Sequence, residues 1–215
     1  MMPGYLCILF LFIFCILWAT GWKPTFAPNM RTGWALSITG LILFTLMFPI
    51  WITPIDRFPG FHIHAAVCLL LVSSVIVVLL SARQGQALFL VLCAVMLAVV
   101  WGSTRSLYAH ESFLHWLSPT LDAPLLAGLL CGVFTTDSNH QLAITAWGAA
   151  IGECMAALLQ EGGAFQVQIG SWAWWDGFAI AICATFALGA AGRALRGMIS
   201  KLGAVWLQQR GGRSS

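Results

Sequence analysis

Charge is what this chain has least of. Only 8% of its 215 residues are Asp, Glu, Lys or Arg, where soluble domains carry about 25%. A soluble fold could not keep its surface wetted with so few. Motifs of catalysis are missing as well. There is no Gly-x-Ser-x-Gly elbow, no phosphate-binding Walker loop and no dinucleotide fingerprint, so neither enzyme nor cofactor is expected. The seven cysteines (Cys7, Cys15, Cys68, Cys93, Cys131, Cys154 and Cys183) form no Cys-x-x-Cys pair and all fall in apolar stretches. That excludes a disulfide framework or a zinc site on spacing and leaves cysteine as a small hydrophobe. No small-x-small cleavage pattern follows the first apolar run, and Met1-Met2-Pro3-Gly4 carries no cationic side chain. The beginning of the chain is therefore expected to be a retained first span.

What is present is apolar. Hydrophobic residues make up 60% of the chain, in runs long enough to cross a bilayer at about 20 helical residues per crossing. A β-barrel would need alternating apolar and polar residues, and Cys68-Leu69-Leu70-Leu71-Val72 does not alternate. The expected fold is all-α, a polytopic helical bundle forming one membrane domain over residues 1–200. Its spans are expected at about 5–22, 33–52, 63–81, 87–103, 120–136, 141–160 and 172–197, the fifth being short enough to be re-entrant. Residues 201–215 are expected as a basic cytoplasmic tail with a short interfacial segment and a disordered tip.

Orientation follows from the cations. With seven spans and the N-terminus outside, the inner side holds Lys23, Arg31, Arg83, Arg193, Arg196, Lys201, Arg210 and Arg213, and the outer side only Arg57 and Arg105. Eight against two obeys the positive-inside rule. The net charge of +3 then points to anionic lipid head groups at the C-terminal tail, not to nucleic acid. The same topology gathers His62, His64, His110 and His115, with Asp56, Glu111, Asp122 and Glu161, on the outer side.

The two halves differ in texture. Spans one to four are rich in Leu, Phe, Val and Ile, as lipid contact requires. Spans five to seven carry Gly128-x-x-x-Gly132, Gly148-x-x-x-Gly152 and five small residues within Ala187–Gly192. Small residues let helix backbones approach closely, so these three spans are expected to form the packed heart. The same glycine faces would equally serve a homo-oligomer or a membrane protein partner.

Glu153 is the most informative residue. It lies inside the sixth span with Ala146, Ala149, Ala150, Ala156 and Ala157 at helical spacing, so it faces a close neighbour helix and not lipid. An intramembrane carboxylate costs several kcal/mol unless paired or protonated. It is either a proton- or cation-binding site or an interhelical bond. Asp176, in the first turn of the seventh span, reads as a capping acid favoured by the helix dipole. It could also share a polar site with Glu153 and Arg105. His110, Glu111 and His115 invite a metal reading. Their histidines are five apart, however, not the four of His-Glu-x-x-His, and an ordinary interfacial helix explains them.

The run Trp147-Gly148-Ala149-Ala150-Ile151-Gly152-Glu153, then Ile169-Gly170-Ser171, then Asp176, resembles the YphA-like membrane proteins of endospore-forming Gram-positive bacteria. That resemblance implies a multi-pass cell-membrane protein of undefined biochemical activity and adds no catalytic residue. Three functions are thus weighed: a non-enzymatic structural or partner-binding protein, a small proton- or cation-coupled transporter using Glu153 and Asp176 in an outward-facing cavity, and a membrane-embedded metal-dependent enzyme.

Overall fold

The computed structural model describes residues 2–22, 32–54, 60–81, 85–110, 121–160 and 166–211. Among them are seven helices: α1 (Tyr5–Ala19), α2 (Thr32–Leu46), α3 (Ala65–Ser81), α4 (Gln86–His110), α5 (Asp122–Phe134), α6 (Ser138–Leu159) and α7 (Trp172–Gly211). Helix is the expected outcome, because lipid offers backbone amides no partner but their own segment. The helix ends are written in the sequence. At the C-terminus of α1, Gly21 adopts a left-handed φ of 83°. Its amide returns to the carbonyl of Trp18, and that of Trp22 returns to Leu17. This is a Schellman stop, which a glycine makes without a Cβ penalty. Helix α6 opens on Asp137, whose Oδ1 accepts from the Asn139 amide at 2.9 Å, satisfying one of the first-turn donors.

Among the described residues, three helices are long and apolar enough to cross a membrane, over Gln86–Tyr108, Ser138–Leu159 and Trp172–Ile199. Tyr5–Ala19, Ala65–Leu80 and Asp122–Phe134 are shorter apolar helices. The spans expected at 33–52 and 63–81 meet in a different structure. Helix α2 stops at Leu46, three residues before Pro49, and the apolar residues beyond it form β1 (Trp51–Ile52) and β2 (Phe61–His64). These pair antiparallel, and β2 pairs parallel with β3 (Val167–Ile169), in the order β1-β2-β3. The sheet thus stitches the α2–α3 connection to the α6–α7 connection at one end of the bundle. The expected boundary at residue 201 is crossed without a break, because α7 runs for 40 residues, about 60 Å at about 1.5 Å each.

The core is built from two parallel helix pairs. In the first, α4 lies along α6, with Leu97 over Gly148 and Trp101 over Gly152. In the second, α5 lies along α7, with Gly128 on the Ala181 backbone and Gly132 on Leu188 and the Thr185 carbonyl. Both Gly-x-x-x-Gly runs are therefore consumed within the chain. The heart expected from spans five to seven also takes in α4. Leu90, Cys93, Ala94, Leu97, Ala98 and Trp101 are buried, while Leu88, Leu92, Val95 and Met96 on the other side are exposed. Thr185 ties the second pair, donating to the Gly128 carbonyl at 2.9 Å across the interface. Trp147 of α6 reaches α3, its Nε1 donating to Ser74 Oγ at 3.1 Å.

Candidate intramembrane polar site

Glu153 sits on the α6 face that Gly148 and Gly152 open to α4. A Cβ at Gly152 would lie 2.8 Å from the Trp101 Cβ, and one at Gly102 of α4 would lie 2.7 Å from Met155 Cβ. Glycine on both helices is what brings the backbones near enough for side chains to bond across. The α4 helix also continues past the expected end at residue 103, to His110, and this extension carries Arg105 into reach. Its Nη1 donates to Glu153 Oε1 in a salt bridge. Trp101 Nε1 donates to the same oxygen at 3.2 Å.

The site is buried unevenly. The Glu153 side chain is 12% exposed and that of Arg105 37%, while Trp101 is fully buried. The Trp101 ring edge rests 3.6 Å from where a Cβ on Gly177 of α7 would stand, and Pro124 of α5 packs on the same glycine at 2.9 Å. Four helices therefore meet at the tryptophan that holds the carboxylate. Chemically, the arrangement neutralises an intramembrane charge: a fixed cation and an indole donor replace the water that an ionised carboxylate would otherwise demand.

Asp176 is elsewhere. Its Oδ2 accepts from the Gly4 amide at 2.6 Å and its Oδ1 from the Cys7 amide at 2.7 Å. It is a capping acid, but of α1 and not of its own helix. The first-turn amides of any helix lack partners, and a carboxylate there also meets the positive end of the dipole. Trp172 fills the space beside Gly4, whose φ is 95° and where a Cβ would lie 2.7 Å from the indole. The structure thus brings Arg105 to Glu153 and assigns Asp176 to a separate joint.

His110 is the last residue of α4, and Glu111 and His115 lie outside the described residues. No group of three or more His, Cys, Asp or Glu stands together among the described residues in the manner of metal ligands. Residues that sequence reasoning missed are Trp101, the second donor to Glu153, and a polar seam near the other ends of the helices. There Gln141, Thr145 and Thr185 are fully buried. Gln141 Nε2 donates to the Thr135 carbonyl at 2.6 Å, and Thr145 Oγ1 to the Gln141 carbonyl at 2.8 Å. Arg193 of α7 donates to the Thr136 carbonyl at 3.3 Å. The signal for Trp101 was its spacing: it stands four residues before Arg105 on one helix face.

Apolar helices sewn by glycine, with the Arg105–Glu153 ion pair between two of them, define an integral membrane protein of the helical class. A family model described as a YphA-like integral membrane protein matches residues 55–212, and the chain belongs to that family. The match takes in α3 to α7, the Arg105–Glu153 pair and Asp176, and leaves α1 and α2 outside. No curated protein and no solved structure matches the chain.

Proposed function

We propose that this chain is a non-enzymatic, multi-pass protein of the cell membrane with a structural or partner-binding role, in which the Arg105–Glu153 pair is an interhelical lock. The observation that carries this reading is where the two acids spend their oxygens. Glu153 takes Arg105 and Trp101 of α4 on one oxygen, and Asp176 takes two backbone amides of α1. A coupled carrier needs a carboxylate that exchanges partners with its cargo. Seven crossings with the N-terminus outside and the C-terminus in the cytoplasm fit the parallel runs of α4 with α6 and of α5 with α7, as alternating passes require. The cation count supports the same orientation. The inner end of α7, with Arg193 and Arg196, is then placed to meet anionic head groups.

The experiment is Glu153→Gln in purified protein reconstituted into liposomes, beside the wild type. The expected result is a lower unfolding temperature and no change in proton or cation flux with pH. A variant that keeps its unfolding temperature but loses a pH-driven flux seen in the wild type would replace the lock with the transport reading. That second reading has one observation of its own: Arg105 is 37% exposed, so the pair is not wholly sealed. Orientation is tested separately by labelling single cysteines at Gly85 and Ser215 from either side of the membrane, each in a background whose native cysteines are replaced.

A further inference from the structure

His64 stands where β2 becomes α3, and it is 5% exposed. Its Nδ1 accepts from the Ala66 amide at 3.2 Å, so the ring caps α3 at the second helical residue, as an Asn or Asp side chain ordinarily does. A nitrogen that accepts there carries no proton. That leaves Nε2 to hold the proton of the neutral ring, and the carbonyl of Phe48, two residues past the end of α2, favours a proton on the imidazole. A neutral imidazole in that tautomer therefore caps α3 beside the segment that leaves α2. The neighbouring amide of Ala65 adds a bond to the Ile50 carbonyl at 3.0 Å.

The surroundings are built for the neutral ring. Trp51, its register partner on β1, meets the imidazole edge-on at 5.2 Å. On the other side Gly170, at a φ of 96°, leaves room for the His64 Cβ, which would stand 2.6 Å from any Cβ placed there. Val67 closes the same corner. Of the elements packed on the ring, β1 (Trp51, Ile52), β3 (Val167, Gln168, Ile169) and the segment after α2 at Phe48 bring no titratable group. The first turn of α3 brings Cys68. On its own strand His62, two residues back, shares the face of His64. Asp56, Arg57 and Glu161 lie outside the described residues.

We propose that His64 is a proton-operated latch on the three-stranded sheet: neutral, it clamps the segment after α2, the start of α3 and the α6–α7 connection together, and protonation at Nδ1 opens that clamp. A proton on Nδ1 would face the Ala66 N–H donor to donor, so the cap is lost. It would also place a cation at the positive end of α3. Burial works in the same direction, holding the His64 pKa below the ordinary 6.5, with the Phe48 carbonyl opposing it. A base whose pKa is lowered in the closed form takes up its proton on opening. The clamp is therefore at full strength above the ordinary histidine range and weakens as the pH falls through it. The strand released, β3, leads within three residues into α7 and on to Asp176, so the latch governs the end of the bundle where α1 is held.

The test uses the full chain in lipid nanodiscs, with 15N-histidine resonances and amide exchange followed between pH 7.5 and 5. The expected wild-type result is an Nε2–H tautomer for His64 at pH 7.5. At pH 5, after correction for intrinsic rates, exchange at Ala65–Val67 and Val167–Ile169 should rise at least tenfold. His64→Asn keeps a capping oxygen that does not titrate, and should hold exchange low at both values. His62→Asn should retain the wild-type response. The proposal fails if His64 carries its proton on Nδ1 at pH 7.5, or if those segments exchange equally at both pH values. It also fails if His64→Asn keeps the full acid response. Should that variant not fold, the wild-type tautomer and exchange data alone decide.

Discussion

Helices α1 and α6 are both apolar, yet they stand in the molecule in different ways. Helix α1 is Leu-, Ile- and Phe-rich and has no buried residue along its length; a carboxylate from α7 fastens its first turn. Helix α6 is Gly- and Ala-rich, and eleven of its residues are buried. In water the larger apolar side chains of α1 would be the ones driven inward. In lipid they gain nothing by leaving one hydrocarbon for another, and association rests on close packing and on polar bonds. Size therefore sorts these helices where polarity cannot. The small-residue faces assemble α4 to α7, and the large ones are left for the bilayer.

The sharpest way to break that contrast is to put a methyl where the backbones touch. Gly128→Ala sets a Cβ 2.8 Å from the Ala181 Cα and 2.9 Å from its carbonyl carbon, atoms that cannot rotate away. The α5–α7 pair must separate, at a cost of about 3 kcal/mol. Gly192→Ala, on the same α7 helix with nothing within 4 Å, should be neutral or gain up to about 1 kcal/mol from helix propensity. Denaturation of the two variants in mixed micelles checks this. Equal unfolding free energies would mean that the glycine contacts do not hold the core.

The ion pair comes next. Glu153→Ala strands Arg105 and the Trp101 indole between helices. Losing one partner of a sealed pair costs about 3–5 kcal/mol, but Arg105 is 37% exposed and can turn outward, so about 2 kcal/mol is expected. Adding Arg105→Met should recover part of it, because the stranded charge is then gone. A double-mutant cycle on unfolding free energies measures the coupling. Strict additivity would show that the contact contributes nothing.

How much of this was legible in the sequence depends on what each feature answers to. The alanines around Glu153 announced a close neighbour helix, because a face of small residues has one physical use in lipid. Which helix it was could not be read, since α4 scatters Cys93, Ala94, Ala98 and Gly102 of its inner face among larger apolar residues. The sheet escaped for a related reason. Short apolar runs such as Trp51–Ile52 and Phe61–His64 continue the spans in hydropathy, and periodicity cannot separate strand from helix over so few residues. Pro49 and Pro54 were the available signal. Asp176 was recognised as a capping acid, but a cap supplied from another helix depends on tertiary placement that no local pattern encodes. Trp101 needed the same placement before its indole could be assigned.

The smallest effect on the core, and the most local, is expected at the α1 joint. Asp176→Ala leaves the Gly4 and Cys7 amides without their acceptor. Capping losses run at about 0.5–2 kcal/mol, and the damage should stay with α1, because the described contacts of α1 run mainly to α7 and none of its residues is fully buried. Amide exchange at Gly4 to Ile8 should therefore accelerate at least fivefold, while the midpoint for unfolding α4 to α7 moves by about 1 kcal/mol or less. Asp176→Asn, which keeps one oxygen for one amide, should fall between the variant and the wild type. If instead the core midpoint drops as far as in Glu153→Ala, α1 is an integral part of the cooperative unit. The division between a glycine-sewn core and a clipped-on outer helix would then be wrong.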